Sequence, residues 1–234
     1  MLFIGPPFGN YIELDKAISI KGSFTVEPRD GLLWQIASTL RYSFDYCGWV
    51  NKIGLRNKGL DWAIANHDNK HVCSIAIMNE NEIDPILKKI PRDMNIEINL
   101  GCPNVKKVRL NEGLENFLNK DRKWCILKLS PTIDTALIDS YYNKGFRQFH
   151  CSNTLPVPEG GLSGPSLKPH TSRVISYIRN NYKDTEIIAG GGIRSMHDIH
   201  HYKTIGANHY AVSTLLFNPI MFGLFYFDYQ LRIY

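Results

Sequence analysis

The stretch EIIAGGGIRSMHDIHHYKTIGANHYAVST, residues 186–214, decides the fold. It opens on a short apolar run rich in β-branched residues and breaks at three consecutive glycines. A segment of helical period follows at 195–204. Gly206 then stands where a helix C-cap belongs, and a second apolar run occupies 209–213. The order is strand, glycine loop, helix, strand, which is one α/β repeat.

The same alternation runs through the rest of the chain. Further strands are expected at 2–8, 17–26, 71–78, 96–100, 124–129 and 148–152, making eight with the two above. Most are nearly continuous apolar runs bounded by Gly, Pro or Asn, as expected where helices cover parallel strands. Helical stripes are expected at 81–90, 111–119, 133–143 and 169–180, and the aromatic tail 222–234 reads as a final helix or a subunit interface. Eight strands alternating with helices can form an open doubly wound sheet or a closed barrel. We read an α/β fold of the (β/α)8 TIM-barrel type, because residues suited to chemistry follow many different strands. No Gly-, Ser- or Pro-rich linker divides the chain, so a single domain over 1–234 is expected.

Composition excludes several classes. The chain has 234 residues, with 27 Lys+Arg against 22 Asp+Glu, a net charge of +5. The charges are scattered, so no nucleic-acid or membrane surface is indicated. No apolar run reaches the ~18 residues of a membrane-spanning helix, and no signal peptide is legible. Five cysteines, Cys47, Cys73, Cys102, Cys125 and Cys151, never form C-x-x-C. This argues against a disulfide scaffold, a zinc ribbon or an iron–sulfur cluster, and a cytoplasmic setting is expected.

The strongest chemical signal is Asn99-Leu100-Gly101-Cys102-Pro103-Asn104. A cysteine at the end of a barrel strand suits a general base, and the flanking amides suit a planar ring carrying carbonyl and N–H groups. The same residues also suit a buried cysteine in an asparagine-held turn. Gly190-Gly191-Gly192 and Ser213-Thr214 close two successive strands, where backbone N–H groups can cradle a phosphate; three glycines also make an ordinary tight turn. The run does not fit G-x-G-x-x-G. Lys21 and Lys128 interrupt apolar strands, which is costly unless each meets an anion or an electron-rich cofactor, or snorkels to solvent. Asn51, Gly54, Leu55, Ser152-Asn153-Thr154 and the loop 160–164 add polar groups and close backbone approaches at the same mouth. His197, His200, His201 and His209 lack metal-site spacing and read as a solvated helix face. Lys106-Lys107-x-Arg109 reads as a solvated turn.

In order, PFGNYI, IKGSFTVEPR, VNKIGL, NLGCPN, LKLSP, CSNT, GGLSG, GGGI and VSTLLF resemble the dihydroorotate dehydrogenase family over almost the whole chain. The resemblance implies an FMN-containing barrel that oxidises dihydroorotate to orotate in pyrimidine synthesis. It places Cys102 where the soluble branch has its catalytic base, taking a proton from C5 while a hydride passes from C6 to flavin N5. Lys21 matches the lysine near flavin and substrate. Asn51, Gly54, Leu55, Asn99, Asn104, Asn153 and Thr154 match positions that hold the pyrimidine ring. Lys21, Lys128, Asn153, Gly164, Gly191, Gly192, Ser213 and Thr214 match FMN-binding positions, with Gly9 and Asn10 beside the flavin. The resemblance further implies a homodimer, and either a soluble electron acceptor such as fumarate or an electron-transfer subunit.

Three features depart from the family pattern. Gly101 stands where serine is usual, residues 31–48 read GLLWQIASTLRYSFDYCG in place of a G-N-P-x-P-R pattern, and the chain is short enough that lid segments look trimmed. Glycine before the cysteine also resembles the N-x-G-C-P of tRNA-dihydrouridine synthases, another group of FMN barrels. A flavin-binding barrel without catalysis is a further alternative.

Overall fold

The computed structural model describes residues 1–100 and 112–233, so Cys102 and Asn104 lie outside the described residues. In chain order the strands are β1 (Leu2–Ile4), β2 (Ala17–Phe24), β3 (Arg41–Ser43), β4 (Gly48–Asn51), β5 (Val72–Ala76) and β6 (Ile96–Asn99). Then come β7 (Cys125–Leu129), β8 (Gln148–Cys151), β9 (Leu155–Val157), β10 (Gly160–Ser163), β11 (Glu186–Gly190) and β12 (His209–Val212). The helices are α1 (Leu32–Thr39), α2 (Leu60–Ala65), α3 (Ile83–Lys89), α4 (Thr135–Asn143), α5 (Lys168–Asn181), α6 (Met196–Thr204) and α7 (Pro219–Ile233).

Eight parallel strands close in the order β1-β12-β11-β8-β7-β6-β5-β2, a (β/α)8 TIM barrel. They are the eight read from hydropathy. Strand β7 shows how the sequence builds the wall. Cys125, Leu127 and Leu129 face outward into the core beneath the helices, while Ile126 faces the barrel axis. Both faces are covered, so CILKL is buried throughout. Phe3, Ile20, Val72, Trp124, Ile126, Ile188 and Ala211 plug the barrel interior, each large apolar side chain contributing about 1.5–3 kcal/mol relative to exposure.

The outer helices were only partly legible. Residues 111–119 were expected to be helical, but the described part forms only a 3-10 turn, Leu114–Phe117. Helices α1 and α2 were not anticipated; they are short, and α1 buries none of its residues.

A second, antiparallel sheet, β3-β4-β10-β9, crosses the barrel mouth. It corrects the reading of 160–164 as a loop. β10 pairs with β4 through Gly161↔Asn51 and Leu162↔Val50, and glycine permits the close approach. A Cβ on Gly160 would lie 2.3 Å from the Asn51 carbonyl oxygen. With α1, this sheet occupies the region where trimming was expected.

Candidate active site

The mouth encloses a cavity of about 430 Å³, within the usual range for small-molecule sites. Its floor is the polar layer above the apolar plug. Glu97 is fully buried there, and its two oxygens are shared out. Oε1 accepts from Ser74 Oγ at 2.8 Å and faces Lys128 Nζ at 3.4 Å; Oε2 lies 2.6 Å from His150 Nδ1. Burial alone would push the Glu97 carboxyl up, but Lys128, His150 and Ser74 outweigh it and hold it well below the usual carboxylate range. Burial likewise lowers His150, keeping it neutral.

From Glu97 a chain of hydrogen bonds climbs to the mouth. Asn153 Nδ2 donates to Asn99 Oδ1 at 2.8 Å, and Asn99 Nδ2 donates to Ser23 Oγ at 2.9 Å. Ser23 and Ser74 hydroxyls are 2.8 Å apart. Because the Ser74 proton goes to Glu97, the Ser23 proton must go to Ser74. Every donor in the chain therefore points toward the carboxylate, which fixes the orientation of both asparagine amides. The Thr154 N–H holds Asn153 Oδ1 from the other side at 2.9 Å.

The glycine loop and the ends of β11 and β12 meet at one rim. Gly191 (φ 94°) and Gly192 (φ 78°) are left-handed, and a Cβ on Gly192 would strike Lys168 Cγ at 2.8 Å and Pro165 Cα at 3.0 Å. Gly164, Ser213 and Thr214 line the same cavity. Ser213 Oγ donates to the Pro6 carbonyl at 2.9 Å, so its hydroxyl proton is engaged within the protein. Trp49 stacks on Phe217 with ring centroids 4.4 Å apart, forming an aromatic wall. Asn51, Gly54, Leu55 and Arg56 line the opposite rim, and Leu55 adopts φ 57°.

One expected placement, that of Lys21, needs correction, and Asn10 and Gly9 have structural partners of their own. Lys21 does not face the cavity: its ammonium pairs with Glu13 at 2.9 Å in a separate recess beside His71 and Asp68. The physical reason is strand parity. Ile18 and Ile20 point into the barrel, so position 22 is the next inward one, and it is glycine. Asn10 lines the cavity, but its carboxamide is engaged by the backbone, accepting from Gly22 N at 2.8 Å and donating to Gly22 O at 3.3 Å. Gly9 is a packing glycine, since a Cβ there would sit 2.2 Å from the Ile20 carbonyl oxygen. Among the lining residues the cations are Lys128 and Arg56.

Sequence reasoning missed Ser23, Ser74, Glu97, His150, Trp49 and Phe217. Glu97 and His150 did carry a signal, being ionisable residues at inward parity in otherwise apolar strands. Of the other cysteines, burial pushes the Cys73 and Cys125 thiols up to about 12 and Cys151 further, so all three are inert thiols.

An eight-stranded barrel with a glycine-rich rim, a buried lysine–carboxylate floor and paired asparagines defines a (β/α)8 barrel with one polar cavity at its mouth. Comparison with known proteins names the group. The family model for dihydroorotate dehydrogenase matches residues 142–222. The catalytic subunit of dihydroorotate dehydrogenase B (NAD(+)) from Thermoanaerobacter sp. (strain X514) is 30% identical, over 92% of this chain and 81% of that protein. The corresponding subunit from Halalkalibacterium halodurans is 30% identical, over 91% and 80%. Among solved structures, ligand-free DHODH from Eimeria tenella superposes with a TM-score of 0.73 at 19% identity, covering 94% of this chain and 80% of that one. The chain belongs to the dihydroorotate dehydrogenase family.

Proposed function

We propose that this protein is an FMN-dependent oxidoreductase that converts dihydroorotate to orotate in pyrimidine biosynthesis. The observation that carries the reading is the convergence of Lys128, Asn99, Asn153 and the Gly191-Gly192 rim on one cavity. These residues fit the cofactor. The glycine rim and the Ser213-Thr214 backbone suit its phosphate, Lys128 suits its electron-rich ring, and the Trp49–Phe217 wall suits a flat group. When bound, FMN supplies the hydride acceptor. The chain supplies the rest: Asn51, Asn99, Asn104 and Asn153 with Thr154 hold the substrate ring, and Cys102 takes the C5 proton.

The relatives are named as catalytic subunits of an NAD(+) enzyme, which favours an electron-transfer subunit over fumarate as the acceptor. No helix among the described residues is long and apolar enough to cross a membrane, in keeping with a cytoplasmic setting. The exposed apolar face of α7, with Ile220, Leu224, Phe227 and Leu231, supports a homodimer.

The test is direct. The purified protein should be yellow, and its FMN absorbance should bleach on anaerobic addition of dihydroorotate. Cys102→Ala should keep FMN and lose most turnover; full activity in that variant sinks the assignment. The outward-turned Lys21 favours a second reading, a flavin barrel acting on another substrate or on none. Bound FMN that responds to neither dihydroorotate nor orotate would select it.

A further inference from the structure

His150 sits under the cavity with one ring nitrogen used and one unclaimed. Its Nδ1 lies 2.6 Å from Glu97 Oε2. An ionised carboxylate only accepts, so Nδ1 carries the proton and the neutral ring presents Nε2 as an acceptor. That nitrogen has no hydrogen-bond partner among the described residues, although the side chain is only 4% exposed. It fronts the cavity beside Gly190, where a Cβ would come within 2.6 Å of Nε2. The missing side chain of Gly190 is thus what lets the acceptor reach the cavity. Nε2 opens on the cavity as an acceptor, and a ligand seated there can supply the donor.

We infer that His150 is a cofactor-binding residue, its Nε2 accepting a hydrogen bond from an O–H or N–H donor of the flavin. The inference rests on the FMN reading and extends it to a residue outside the family-matched set. A phosphate, itself an acceptor at neutral pH, is the wrong partner for a neutral imidazole nitrogen, so the contact belongs to the ribityl hydroxyls or the ring imide N–H. Glu97 acts through His150 as a positioning residue, because it sets which nitrogen faces the ligand.

The test strips the flavin from wild type, His150→Leu and His150→Gln and titrates FMN back by fluorescence quenching. Leucine should weaken FMN binding roughly three- to tenfold, the size of one neutral hydrogen bond. Glutamine can donate to Glu97 and still present an oxygen, so it should restore affinity to within about twofold. Should the leucine variant fail to fold, His150→Ser, small and tolerant of water beside Glu97, should show the same loss. Lumiflavin, which has the ring imide but no ribityl chain, separates the two donors. A loss shared with lumiflavin assigns the imide, and a loss confined to FMN assigns a hydroxyl. Wild-type affinity in the leucine or serine variant overturns the inference alone, as does an equal loss in all variants, which would mark a packing role. A wild-type protein that binds no FMN overturns the cofactor reading itself, and this inference with it.

Discussion

Lys21 and Glu13 form an ion pair at 2.9 Å on the outer side of β2, so the lysine ammonium is directed away from the cavity that its motif was expected to serve. The inward position beside it, Gly22, has φ 120°, and a Cβ there would lie 2.5 Å from the Ser74 carbonyl oxygen. No side chain can extend into the cavity from that position without moving the backbone.

Lys21→Met should therefore leave FMN affinity within about twofold of wild type, since its ammonium pairs with Glu13 outside the cavity. Lys128→Met should weaken FMN binding at least tenfold, because Lys128 is the cation on the cavity floor. Titrating FMN into both variants decides which lysine the cofactor feels. A large loss in Lys21→Met alone would return that residue to the site.

Restoring a lysine at the inward position should fail for steric reasons. Gly22→Lys combines a disfavoured φ with the approach to Ser74, so a destabilisation of about 2–4 kcal/mol is expected, and Gly22→Ala should cost nearly as much. Chemical denaturation of both variants tests this. Equal penalties would show that the Cβ, not the charge, is at fault.

Strand parity also explains what was legible in the sequence. All eight barrel strands could be read because both faces are covered, leaving runs such as CILKL that no turn or exposed helix imitates. The direction of Lys21 was equally readable from Ile18 and Ile20, but the motif drew the reading to the lysine and hid the parity. The sheet over the mouth was not readable. Its strands have three or four residues, and β10 finds its partner β4 more than a hundred residues away, through glycines that carry no periodic signal. Asn99 and Asn153 were found as single residues. The hydrogen-bond chain joining them to Glu97 needs β2, β5 and β6 side by side and the segment after β8 folded against them.

That chain makes a prediction of its own. Ser74→Ala removes the link between Ser23 and Glu97, so the Ser23 hydroxyl that accepts from Asn99 is no longer tied to the carboxylate. Loss of the two Ser74 hydrogen bonds, to Glu97 and with Ser23, should cost about 1–3 kcal/mol of stability. If the asparagines hold the substrate, KM for dihydroorotate should rise severalfold while FMN affinity changes little. A rise in FMN Kd with KM unchanged would contradict the orienting role.

The Glu97–Lys128 pair should show the asymmetry of buried charges. Glu97→Leu strands the Lys128 ammonium and should cost about 3–5 kcal/mol. Adding Lys128→Met should recover part of that loss, because the double variant buries no unpaired charge. Denaturant midpoints of the two single variants and the double variant complete the cycle. Additive penalties would mean that the two groups do not sense one another.

Acid should undo this floor in two stages, with a sign fixed by the directions of the shifts. Burial depresses His150, so its contribution to stability is complete above the ordinary histidine value of about 6.5 and is lost as pH falls below it. Glu97 is depressed too, by Lys128, His150 and Ser74 acting against burial. Its contribution is complete above the ordinary carboxylate value of about 4.3 and is lost below that, as the folded-state carboxyl takes up its proton. Both losses have the same direction, so stability should rise with pH from the acid side and level off near neutrality. His209, also depressed by burial, adds to the upper stage, which makes the variant comparison necessary. His150→Gln should flatten the wild-type slope between about pH 6.5 and 4.5 while keeping the steeper loss below it. Thermal midpoints of the two proteins across that range measure the difference. A His150→Gln curve parallel to wild type above about pH 4.5 would show that folding leaves the proton uptake of His150 unchanged over that range, against its depression by burial.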